Sequence, residues 1–232
     1  MREMTGARRR LRAVSTVLTV AGVLMLGDAA LTVVWQEPAS ALYASVVQGR
    51  LSDDLQRLER SQPVGVDRAA LRNLATPRRR MAFLARRLRS TTVPDAAVGR
   101  IKIARIDANF VLVGGTDAAS LRKGPGIYDD VPFPGASGTT AIAGHRTTYR
   151  APFRHIDKLL RGDVIVVEMP YGRFTYAVQK TRIVPPNQLS VLRRVAYDRL
   201  VLSACHPLYS AAKRIVVFAR LVARSARGPG RT

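Results

Sequence analysis

The chain has 232 residues, room for one ordinary domain plus an anchor and a connecting segment, and too few for two full domains. With 47% hydrophobic and 6% aromatic residues it can build a core from Val, Leu, Ile and Ala, which excludes disorder throughout. Its 38 Lys and Arg against 16 Asp and Glu, a net charge of +22, call for a nearby polyanion; charge alone does not choose among nucleic acid, anionic lipid and anionic wall polymer.

Residues 1–12 form a basic tail carrying Arg2, Arg8, Arg9, Arg10 and Arg12. Residues 13–35 follow as an apolar run long enough to cross a bilayer as a helix, with Trp35 at the far interface. Asp28 is its one charge and lies toward an end, where insertion costs less than the ~3 kcal/mol expected at the bilayer centre. By the positive-inside rule the N-terminus stays in the cytoplasm and everything after Trp35 is outside, which removes nucleic acid from the possible partners. Ala39-Ser40-Ala41 also offers a cleavage site for a removable leader, but the run exceeds a usual leader core, and export holds under both readings.

Residues 36–96 place Leu, Val and Ala at helical spacing among many Arg, as in LSDDLQRLER and RRRMAFLARRLRS, with Pro63 and Pro77 as interruptions. This predicts a partly helical basic stalk, its cations facing anionic membrane lipids or solvent. After Pro94 the pattern turns to β-branched runs divided by Gly, Pro and Asn/Asp clusters: GRIKIARI, NFVLVGG, TTAIAGH, DVIVVEM, GRFTYAVQKTRIV, RLVLSAC and KRIVVFARLV. One helical pattern intervenes at APFRHIDKLLRG, with Phe153, Ile156, Leu159 and Leu160 on one side. Seven or eight short strands predict an all-β barrel or sandwich over residues 97–224, followed by a polar, disordered tail at 225–232.

The single cysteine of an exported chain has no internal partner, so it is either inert or kept for chemistry. Cys205 ends a strand that Pro207 stops, and strand ends display side chains. Its thiol needs a base, and the chain holds three histidines. His145 ends another strand behind Gly144; His155 lies off the apolar face of the helical pattern and reads as a surface residue; His206 follows Cys205 and points to the opposite face. His145 is therefore the expected partner. Arg214 opens the last strand nine residues on, within reach of pairing beside Cys205, where it could hold an oxyanion, although alternation alone does not tell it from Lys213.

With TAIAGHR, LVLSACHP and KRIVVFARL in this order behind an anchor, residues 97 to 224 resemble the sortase family of cysteine transpeptidases. The resemblance implies a closed eight-stranded barrel with one or two short helices, Cys205 as nucleophile, His145 as general acid/base and Arg214 as stabiliser of the carbonyl oxygen. Ala204 stands where the family's TLxTC-like motif usually has Thr. It further implies a substrate loop, VPPNQLSVLRRVAYD, before the cysteine strand, in which Val184, Pro185, Leu189 and Val191 would pocket the first residue of an LPxTG-like or LAxTG-like signal. Implied partners are surface proteins bearing that signal at the C-terminus and a peptidoglycan precursor amine. The whole resembles a class E, housekeeping-type enzyme of a high-GC Gram-positive bacterium, with a pilus-polymerising member as the alternative. No cofactor and no metal, calcium included, is expected, since the acidic residues are scattered. An L,D-transpeptidase would carry its His and Arg at other offsets from the cysteine, and a papain-like hydrolase would reverse the order of Cys and His. The non-enzymatic rival is an anchored barrel that binds anionic wall polymer.

Overall fold

The structure, a computed structural model, describes residues 12–27, 38–61 and 65–228. Helices α1 (12–27), α2 (Pro38–Ser61), α3 (Gly65–Arg72) and α4 (Pro77–Thr91) precede the strands β1 (Ala97–Ile103) and β2 (Ala108–Gly114). Helix α5 (Ala118–Lys123) leads to β3 (Gly126–Ile127), β4 (Thr139–Ala143), β5 (Val164–Met169), β6 (Gly172–Val184), β7 (Arg199–His206) and β8 (Lys213–Ala226).

The strands close a barrel in the order β1-β2-β3-β4-β7-β8-β6-β5. The barrel is the expected all-β architecture, and closure pairs every strand with a neighbour on each side along at least part of its length. Two neighbouring pairs, β2 with β3 and β4 with β7, are parallel, and the others are antiparallel. Alternation turns Leu200, Leu202 and Ala204 of β7 and Ile215, Val217 and Ala219 of β8 into the barrel, where all are buried beside Ile142, Ile165 and Phe174.

Several expectations need correction. The described part of 36–96 is helical as expected but does not stand apart as a stalk: α2 and α4 lie against the barrel and bury Leu51, Leu55, Met81, Leu84 and Leu88, while 36–37 and 62–64 lie outside the described residues. β3 spans two residues and covers only the end of β2, leaving Val111 without a strand partner on that side. The buried amide of Gln48 in α2 fills the gap: its Oε1 accepts from Val111 N at 2.8 Å, and its Nε2 donates to Lys123 O at 2.8 Å and Val111 O at 3.2 Å. The helical pattern at 151–162 forms only a 3-10 turn at Ile156–Lys158; Phe153, Ile156 and Leu159 are buried as expected, but Leu160 is exposed. Short apolar spacing fits a packed turn as well as a helix, so periodicity could not separate them. β8 runs through Ala226, into the expected tail, while 229–232 lie outside the described residues. So do residues 28–35 of the expected anchor and the whole of 1–11. Among the described residues no helix is long and apolar enough to cross a membrane.

Candidate active site

Register assembles the site. β4 and β7 run parallel with Thr139 beside Arg199, Ala141 beside Val201 and Ala143 beside Ser203. β7 and β8 run antiparallel with Arg199 beside Arg220, Val201 beside Phe218, Ser203 beside Val216 and Cys205 beside Arg214. Partners across a ladder share a face, so these residues form successive rows on the outer wall of the barrel. His145 stands two residues beyond Ala143, as Cys205 stands two beyond Ser203, and Gly144 N still donates to Ser203 O at 3.1 Å. His145, Cys205 and Arg214 thus end three adjacent strands at one place, and the register separates Arg214 from Lys213, which pairs with His206.

His145 is half-buried, and its Nε2 has no hydrogen-bond partner among the described residues. Its ring lies tilted on Tyr149, centroids 5.3 Å apart. Burial, and then the charge of Arg122, hold its pKa below the usual histidine range, so the neutral imidazole is favoured. The local sequence explains the placement. A side chain at Gly144 would strike the buried ring of Phe153 at 2.6 Å, so the glycine lets that ring pack beneath the chain leading to His145. Phe153 N then donates to His145 O at 2.9 Å and closes the loop.

Cys205 is partly exposed and in no disulfide. Arg214 uses Nη1 to donate to Ala211 O at 2.9 Å and Lys213 O at 3.0 Å. A guanidinium carries five N–H donors, so others remain to polarise a carbonyl oxygen. Val184, Pro185, Leu189 and Val191 line one cleft together with Ser203, Val216 and Arg214, one row along from the cysteine. A roomier cavity of about 520 Å³ lies elsewhere, between α4 and the loop after β3. Among the described residues no cluster of three His, Cys, Asp or Glu side chains forms.

His155 is exposed, and His206 contacts Arg146 instead of the thiol. Sequence reasoning missed Arg146 itself. Its side chain is only 2% exposed and pairs with Asp157 Oδ1 at 2.9 Å. It also donates to Arg154 O at 3.2 and 3.3 Å, reaches Cys205 O at 3.4 Å and lies 3.4 Å from His206 Nδ1. One buried cation therefore ties the histidine loop to the end of the cysteine strand. Its position directly after His145 was visible, but in so arginine-rich a chain nothing marked it as buried.

A family model described as a sortase domain matches residues 101–222. Sortase D of Bacillus subtilis is 35% identical over 130 residues, covering 54% of this chain and 64% of its own length. Sortase SrtE1 of Streptomyces coelicolor is 32% identical over 104 residues, covering 41% of this chain and 30% of its own. The chain thus spans less than two thirds of these relatives. A Clostridium perfringens sortase D5 transpeptidase superposes with a TM-score of 0.60 over 77% of this chain and 99% of its own, at 20% identity, a likeness of fold.

Proposed function

The chain belongs to the sortase family, matched by its domain model over residues 101–222, and on that premise we propose that it is a membrane-anchored cysteine transpeptidase. It cleaves an LPxTG-like or LAxTG-like signal between Thr and Gly and passes the protein to a cell-wall precursor amine. The reading rests on one observation: the register that ends the strands of His145, Cys205 and Arg214 side by side.

Neutral His145 takes the thiol proton of Cys205 as the sulfur adds to the Thr carbonyl carbon, forming a C–S bond while the oxygen turns toward Arg214. His145 as imidazolium donates its proton to the Gly nitrogen, the C–N bond breaks and a thioester remains. The incoming amine attacks that thioester, His145 takes its proton, and the thiolate leaves. A peptide bond is exchanged for an amide, with no net redox change. The cleft of Val184, Pro185, Leu189 and Val191 receives the apolar first residue of the signal. Helix 12–27 supports the anchor, since Val17, Leu18, Leu24 and Met25 are each at least 66% exposed and face no protein core. The membrane places the barrel outside, next to the wall. The relatives include both a sortase D and a sortase E, and the absent Thr at Ala204 leaves the nucleophile in place.

The test mixes the purified chain with LPxTG and LAxTG peptides and an amine, and looks for the ligated product. Wild type is expected to form it and Cys205→Ala to lose it by about 10⁴-fold or more. Methanethiosulfonate should label Cys205 faster than free cysteine, and less so in His145→Ala. Labelling that requires denaturation, with no ligation, would sink the reading in favour of a binding barrel.

A further inference from the structure

The rows that begin with Cys205 and Arg214 continue along the outer wall to Arg199 and Arg220. Six residues of β7 separate the ends, roughly 20 Å at ~3.3 Å per residue. The loop after β6 crosses this wall, held by Thr139 Oγ1 to Arg193 O and Arg199 Nη2 to Val191 O, and stands in the way of a chain running straight along β7. On the β4 side a series of depressions that share lining residues leads round it. Leu192 lines both the substrate cleft and a shallow groove with Thr139, Asp130 and Arg194. Ser137, Gly138 and Arg194 line both that groove and a pocket at the far end.

That far pocket is built of cations. Arg78, Arg194, Arg220 and Arg224 line it against one acid, Asp198. The acid is already engaged: Gly138 N donates to its Oδ1 at 3.0 Å and Arg224 Nη2 to its Oδ2 at 3.1 Å. Arg224 Nη1 is buried with no hydrogen-bond partner among the described residues. Arg220 stacks over Tyr197 with its charge 4.9 Å from the ring centroid, and among the described residues Arg78 and Arg194 have no ion pair.

We propose that this pocket is a second substrate subsite, in which an acidic stretch of the sorted polypeptide, just ahead of its sorting signal, docks on Arg78, Arg194, Arg220 and Arg224. The inference rests on the transpeptidase reading for its direction. With the scissile Thr at Cys205, the first residue of the signal lies ~10 Å away in an extended chain, and about three to six further residues reach the arginines. Carboxylates arriving there meet Arg78 and Arg194, which have no ion pair among the described residues, beside Arg220 on its ring and Arg224 on Asp198.

The test compares two peptides with the same signal and a six-residue leader bearing either three Glu or three Gln at its distal end. The Glu peptide should be cleaved with a kcat/KM about three- to tenfold higher at low salt, the difference lying in KM, since each exposed pair contributes modestly. The ratio should approach one in 0.5 M NaCl and in Arg194→Gln/Arg220→Gln; being a ratio within one protein, it is insensitive to loss of folded material. Binding of the same peptides to Cys205→Ala, read by fluorescence anisotropy, reports the subsite separately. If neither peptide is cleaved but the Glu peptide binds more tightly, the catalytic reading fails and the subsite stands. Equal affinity overturns the subsite, and if a glycerol-phosphate polymer then binds and is lost in the double variant, the pocket belongs to an anionic wall polymer.

Discussion

The loop after β4, residues 144–158, is held from several sides, whereas the loop after β6, residues 185–198, rests on the barrel by a few bonds. In the first, Phe153 and Ile156 are fully buried, Arg146 ties four groups together, and Tyr149, Arg150 and Ala151 are forced to positive φ of 51°, 61° and 40°. A run of non-glycine residues in that region persists only where packing imposes it. In the second, Leu189 is 72% exposed, and the ties include Thr139 Oγ1 to Arg193 O at 3.0 Å, Arg199 Nη2 to Val191 O at 2.9 Å, Tyr197 to Gln179, and, at the end nearest β7, Asp198 to Gly138 N and Arg224. Under the proposed function, the imidazole would be positioned before substrate arrives, and the more exposed loop taken as the substrate wall would be the part left to adjust. The division suits a transfer reaction, in which proton positions tolerate little error while the signal must enter and leave.

The comparison breaks most sharply at Arg146. Arg146→Ala should lower kcat about 10²-fold by releasing the His145 loop from the cysteine strand, with KM little changed. It should also cost about 2–3 kcal/mol of stability in urea unfolding, because Arg154 O loses its donors while the half-exposed Asp157 can rehydrate. Arg146→Lys keeps the charge but not the fork and should recover only part of kcat. A kcat equal to wild type would remove the rigid half of the contrast. Leu189→Ala should do the opposite, raising KM about five- to tenfold with stability unchanged within ~0.5 kcal/mol. Loss of stability there would show the loop to be part of the core.

The smallest effect sharpens the electrostatics. Arg122 lowers the pKa of His145, so Arg122→Gln should move the titration of His145 upward, read from its ring protons by NMR. The folded pKa is depressed, so stability linked to neutral His145 is full above the unfolded value near ~6.5 and is lost as pH falls through the folded value. On acidification the variant should therefore lose less stability than wild type. An unmoved resonance would assign the depression to burial alone.

How much was legible differs from element to element. Seven strands were readable because β-branched runs between Gly and Pro clusters have few other uses. Two-residue β3 carries no periodicity, and α5 is a single turn and a half capped by Asp117, too short for a pattern. α2 and α4 were readable as helical but not as packed: their apolar stripes lie among so many arginines that burial against the barrel could not be told from a solvated stalk. His145, Cys205 and Arg214 were singled out by residue type and by position at strand ends. Arg146 was not, because burial of a charge depends on what the chain brings to it.

The sequence by itself determined the strand runs, the lone thiol and its small set of possible bases, since those follow from local composition and count. Only the tertiary structure decided that β4 lies parallel to β7, and β8 antiparallel to it, in the register that sets His145 and Arg214 on either side of Cys205. Register is a property of strand pairs distant in sequence. It is chosen by which faces the closed barrel can bury, and a shift of one residue on any of these strands would turn its side chain to the other face.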